Sequence, residues 1–239
     1  MRLAERSSVR RWLREEASSE RLSTRLVESA FVLPFAATSA LALAALHPPL
    51  FRALVVEDGP LEWAGTAAYA AAFFLAALLA VRVARAGRHA SAVGAVLLSL
   101  ACLFVVGEEV SWGQRLAGWE TPAALGAVNV QGETTVHNVS GVDEAFRVAL
   151  LAVGLYGSCA WLVTRRRARR RQALVLAPPL FLASLFVVPL VYYAVRFSLF
   201  PTPSYGVAKF SELPELLVAS GLLAVLVLSW RRLAAGRPI

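Results

Sequence analysis

Lysine occurs once in this chain, at Lys209, methionine once, and cysteine twice, at Cys102 and Cys159. Both cysteines lie inside apolar runs, at depths about 15 Å apart when counted from one membrane face at about 1.5 Å per residue, so no disulfide joins them. There is no C-x-x-C pair and no histidine partner for either thiol, which excludes a thiolate zinc site and leaves two small core residues. Histidine is scarce as well: His47 stands beside Pro48 and Pro49, His89 among arginines, and His137 alone in an acidic neighbourhood. Internal repeats and low-complexity linkers are absent. Residues 1–26 are too long and too acidic for the charged start of a signal peptide, and no short apolar segment with a cleavage site follows. They read instead as a basic cytoplasmic segment, either a helix on the membrane surface or a solvated tail.

What is present is apolar sequence: 58% of residues are hydrophobic and mean hydropathy is +0.61, where soluble domains hold about 45–50%. Several runs approach the length of about 20 residues that crosses a bilayer. The expected fold is therefore all-α, a polytopic integral membrane bundle of six transmembrane helices in one domain, 27–239. The spans are read at 27–46, 60–83, 90–106, 142–164, 173–199 and 214–230. Barrel strands are excluded because the runs do not alternate. Pro178, Pro179 and Pro189 predict a kink in the fifth span.

The net charge of +8 would suggest nucleic acid in a soluble protein, but its placement excludes that partner. Arginines fill the N-terminal segment, the 82–88 connection, the run 165–171 and the C-terminus, all on one face, which the positive-inside rule makes cytoplasmic. Both termini are then cytoplasmic. The other face receives five basic residues, Arg52, Arg115, Arg147, Arg196 and Lys209, and eleven acids. The expected location is the bacterial inner (plasma) membrane, multi-pass, with the polar site on the extracytoplasmic side.

That site is the segment 107–141. Glu108 and Glu109 follow a span directly and stand at the C-terminal end of its helix, where backbone carbonyls repel them, so a cation, a shared proton or an arginine must compensate. On a continuing helix Glu108 and Arg115 share a face. Glu133 and His137 are four apart and could share one ion only across a helical turn, which Gly132 and the β-branched Thr134, Thr135 and Val136 oppose. Glu62, Glu212 and Glu215 start helices at the same level and could face one another, although helix capping explains them about as well. The expected catalytic groups are Glu108, Glu109, Glu133 and His137. The expected ligands of a divalent metal ion are the same four with Glu212 and Glu215. Arg115, Gln114, Asn129, Gln131, Asn138, Arg196 and Lys209 are expected to hold substrate, with snorkelling as the plain alternative for Lys209.

The blocks EDGPLEW (57–63), GEEVSWGQR (107–115), ETP (120–122), NVQGETTVHN (129–138) and KFSELPELL (209–217) resemble those of a group of uncharacterised bacterial multi-pass membrane proteins. That resemblance implies the membrane fold and lends no catalytic roles. Three functions remain: a metal-dependent enzyme acting on a lipid or lipid-linked substrate, an accessory subunit docking a membrane protein partner through 107–138, and a transporter. The transporter is disfavoured because the acids sit near one interface and the span centres are apolar.

Overall fold

The computed structural model describes residues 2–129, 133–136, 139, 142–166, 176–200 and 202–236, with backbone alone at 2–8, 115, 116, 143 and 164–166. Among the described residues the regular structure is helical, apart from one isolated antiparallel bridge between Asn129 and Val139. The helices are α1 (Arg2–Glu20), α2 (Thr24–Ala44), α3 (Pro48–Val55), α4 (Pro60–Arg85), α5 (His89–Glu109), α6 (Gln114–Ala117), α7 (Ala123–Gly126), α8 (Val142–Arg166), α9 (Ser184–Leu199), α10 (Tyr205–Lys209) and α11 (Glu212–Ala234), with 3-10 turns at Ser111–Gly113 and Leu180–Leu182. Five apolar helical stretches are long enough to cross a membrane, so the chain is a polytopic membrane bundle.

Local chemistry sets where these helices begin. Ser23 caps α2 by accepting from the Leu26 amide, and His47 caps α3 through a ring nitrogen that accepts from Leu50 N. Pro48 and Pro60 occupy first-turn positions, where a missing amide hydrogen does no harm. α5 packs on α4, α4 on α11, and α11 on α9, while α9 also packs on α8 and α2. α11 is the central helix: 56% of its apolar window is buried, against 17–33% for the other four.

The two chain ends meet. Glu20, at the end of α1, makes a paired ion bridge with Arg232 near the end of α11, at 2.7 and 3.1 Å. Arg82 lies over the Trp230 ring at the same end of the bundle. Because α2 starts where α11 finishes, the number of crossings is even. α9 must therefore cross as well, although its 16 residues span only about 24 Å.

That sixth crossing departs from the expected one. In place of a kinked helix over 173–199, of which 173–175 lie outside the described residues, the helix begins at Ser184; Pro178 and Pro179 precede it and only Pro189 is inside. Pro179 is extended (ψ 166°) and the chain turns through Leu180–Leu182 before α9 starts, so the two adjacent prolines stop the helix instead of bending it. This non-helical stretch is enclosed, with Leu180, Phe181 and Leu182 each 7% exposed or less.

Its backbone is satisfied by the N-terminal segment. Glu16, itself 6% exposed, accepts the Leu180 amide on Oε1 (2.9 Å) and the Phe181 amide on Oε2 (3.0 Å). Leu13 and Ala17 are buried beside it, and Trp12 meets Trp161 of α8 with ring centroids 5.9 Å apart. α1 is thus docked into the bundle and is not a solvated tail. Glu16→Ala leaves two buried amides without an acceptor, a loss of about 2–4 kcal/mol. It is expected to lower thermal stability in detergent and expose α1 to protease, while Glu15→Ala, at a side chain 57% exposed, does neither.

Candidate functional site

Glu108 and Glu109 end α5 as neighbours, but successive helical residues point about 100° apart, and here they serve two different structures. Glu108 is 2% exposed. Its Oε1 accepts the Trp112 indole N–H at 2.6 Å and its Oε2 accepts the Val136 amide at 2.7 Å. The helix does not continue to Arg115, whose side chain lies outside the described residues. Ser111, Trp112 and Gly113 all have positive φ (48°, 54° and 84°), and the reversal lays the Trp112 ring on Gly107, where an added Cβ would come within 2.8 Å of it. The non-glycine residues hold this strained backbone because their side chains are fastened.

The remaining polar groups complete that fastening. Ser111 Oγ donates to Glu133 Oε2 at 2.8 Å. The Gln114 amide ties two parts of the segment together, donating to Thr121 Oγ1 (2.8 Å) and accepting from Thr134 N (2.6 Å). Asn129, 6% exposed, donates to the Thr135 carbonyl at 2.6 Å. Four residues expected to act on substrate or metal, Glu108, Gln114, Asn129 and Glu133, therefore form the internal scaffold of a folded segment. Gln131, His137 and Asn138 lie outside the described residues. Residues 133–136 are not helical, so the turn needed to bring Glu133 over His137 is not formed there.

Glu109 faces the bundle. It lines a small cavity with Glu62 and Thr66 of α4, Tyr69, and Glu212 and Glu215 of α11, closed by Leu61, Gly65 and Leu216. The cavity measures about 10 Å³, room for about one water. Three helix ends build this convergence: the first turns of α4 and α11 and the last residue of α5. Glu62, Glu212 and Glu215 enjoy the positive ends of their helices, whereas Glu109 sits at a negative one. Glu62 also reaches back to the Asp58 amide (3.1 Å), which ties the preceding turn.

Lys209 Nζ is 3.1 Å from Glu212 Oε1, with the two side chains 28% and 12% exposed, so the lone lysine is a counter-charge and does not snorkel. Tyr193, 1% exposed, donates its hydroxyl to Glu215 Oε1 at 2.9 Å. Glu215 also lies in the field of Arg147. Among the described residues, Lys209 and Arg147 are cations whose charge acts on these carboxylates. Tyr69, Tyr193 and Thr66 escaped the sequence reading; the only available signal was a polar side chain inside an apolar run.

Among the described residues no group of three or more His, Cys, Asp or Glu side chains is arranged to hold a metal ion. The expected ligand set is divided: Glu108 and Glu133 belong to the folded segment, and Glu109, Glu212 and Glu215 to the interhelical centre. Arg196, 8% exposed at the end of α9, donates to the Phe200 carbonyl and lines a different, larger cavity. Compared with models of protein families, with curated proteins and with solved structures, the chain matches none.

Proposed function

We propose that the protein is a membrane-embedded enzyme acting on a lipid or lipid-linked substrate, with Glu109 and Glu215 as its acid-base groups and the site on the extracytoplasmic side of a bacterial inner membrane. The observation that carries this reading is the convergence of Glu62, Glu109, Glu212 and Glu215 from three helix ends around a cavity with room for about one water. Ionisable groups within membrane-spanning helices are expensive to keep there and as a rule mark a working site. Beyond Lys209 and Arg147, an exchangeable proton or a bound cation is expected to offset the charge of these clustered acids. Tyr193 positions Glu215, and Lys209 holds Glu212. The arginine-rich end, opposite the centre, supports the orientation.

The test is incubation of the purified protein with total lipid extract, followed by mass spectrometry of the products. Wild type is expected to consume at least one lipid species, and Glu109→Gln and Glu215→Gln to reduce that turnover by about 10²-fold or more, as loss of a general acid or base does. A folded wild type that changes no lipid overturns the reading. Elemental analysis of the same preparations decides whether a divalent metal ion takes part.

The accessory-subunit reading is favoured by a separate observation: the folded segment presents Trp112, Trp119 and Val128 at 44%, 45% and 53% exposure. A membrane protein partner that co-purifies with wild type and is lost with Trp119→Ala would establish it.

A further inference from the structure

Beside the carboxylate centre, across α10, lies a second and much larger cavity of about 580 Å³, bounded by the end of α2, by α3, by the end of α9 and by 204–210. This is the size of a small-molecule site. Phe51, Val195, Phe200 and Phe210 supply apolar wall, and two guanidinium groups, Arg52 and Arg196, line the same space. Among the described residues no carboxylate lines it. Among the described lining residues the charge is therefore of one sign, and the rest of the wall is apolar apart from Ser204 and the tyrosines Tyr192 and Tyr205.

The surroundings identify the phase from which a ligand comes. Val195, Leu199, Phe200 and Tyr205, at or next to its wall, are 40–68% exposed, and on a transmembrane bundle such apolar faces meet lipid. Arg196 is oriented by its bond to the Phe200 carbonyl, and Arg52 projects from the last turn of α3. Guanidinium forks match the paired oxygens of phosphate and carboxylate. A free anion would use the arginines and leave the apolar wall empty, while a neutral lipid would use the wall and make no use of the Arg52 charge.

We propose that this cavity is a binding site for one anionic lipid, its head group held by Arg52 and Arg196 and an acyl chain laid along Phe51, Val195, Phe200 and Phe210. The site is separate from the carboxylate centre but not insulated from it. Tyr192 lines the cavity, donates to the Val207 carbonyl at 2.7 Å, stacks on Phe210, and packs edge-on against Tyr193, whose hydroxyl reaches Glu215. α10 carries Tyr205, Gly206 and Val207 on the cavity and Lys209 on the carboxylates.

The experiment measures binding of fluorescently labelled phosphatidic acid to the full chain in a non-ionic detergent, beside labelled diacylglycerol of the same chains and with inorganic phosphate as competitor. Wild type is expected to bind phosphatidic acid at least tenfold more tightly than diacylglycerol, with millimolar phosphate displacing little of it. Arg52→Gln is expected to reduce that preference about tenfold, the effect of one charge-assisted bond. Ala42→Phe, which fills the cavity from α2 without touching charge, is expected to weaken both probes.

Equal binding of the two lipids overturns the proposal, as does full displacement by phosphate, which would leave a simple anion site. So does an Arg52→Gln protein with lower thermal stability and unchanged preference, because the arginine would then only complement the end of α3. Glu109→Gln and Glu215→Gln are expected to keep the probe bound, so failure of the acid-base reading and failure of this one are told apart.

Discussion

Replacing Glu108 by alanine is expected to release residues 111–136 from the bundle, whereas Glu109→Gln leaves that segment folded. The carboxylate at 108 is buried and accepts from the Trp112 indole and the Val136 amide, two contacts 24 residues apart in sequence. Hydrogen bonds to a charged group contribute about 1.5–3 kcal/mol each, and removing the acceptor also strands its donors in a dry site. A total of about 3–5 kcal/mol is large beside the usual effect of one substitution. Hydrogen exchange read by mass spectrometry should show faster exchange of amides 111–136 in Glu108→Ala and an intermediate rate in Glu108→Gln, which keeps one acceptor. Unchanged exchange in the alanine variant would remove Glu108 from its role as anchor.

The second large effect is expected at Gly157. Phe186 of α9, 1% exposed, fills the space between Gly157 of α8 and Gly221 of α11. A Cβ added at Gly157 would stand 2.1 Å from Phe186 Cγ, and one at Gly221 2.6 Å from Cζ. The contact at Gly157 is with the root of the ring, so rotating a flexible tip cannot relieve it. Nearby, a Cβ at Gly154 would come within 3.1 Å of the Leu190 backbone, so α8 and α9 are in close backbone contact here. Gly157→Ala is therefore expected to destabilise by about 3 kcal/mol, the upper part of the range for overpacking. Gly157→Ala with Phe186→Leu should lose less than the sum of the two single changes, with a coupling of about 1–3 kcal/mol in thermal stability in detergent. Additive losses would mean that the ring and the glycine do not share this space.

Most of the frame was legible because hydropathy reports what lipid demands. α2, α4, α5, α8 and α11 fall within a few residues of the expected spans. α9 was not, because a run of apolar residues reads the same whether its backbone is helical or extended, and only Pro178 and Pro179 distinguished the two. The meeting of Glu62, Glu212 and Glu215 at one level was legible from their places in first turns. Which of the two α5 glutamates joins them was not: that depends on a helix rotation of about 100°, fixed by how α5 packs on α4. Glu16 was hidden for the opposite reason. An acid on a weak apolar stripe reads as solvent-facing until the amides it serves, 164 and 165 residues away, are in place.

Those amides also constrain how the chain is made. Leu180 and Phe181 belong to an unwound stretch that is enclosed by protein, and unsatisfied backbone at membrane depth is not tolerated in lipid. Their acceptor, Glu16, leaves the ribosome 164 residues ahead of Leu180, at about 5–20 residues per second, and has to wait for that stretch to follow. During that interval a charged helix stands beside the membrane with its binding place not yet synthesised. Closure of α1 over this stretch therefore follows the synthesis of Leu180 and Phe181, and a chain interrupted between α8 and α9 is expected to carry an idle N-terminal arm, recognisable by its ready cleavage by protease.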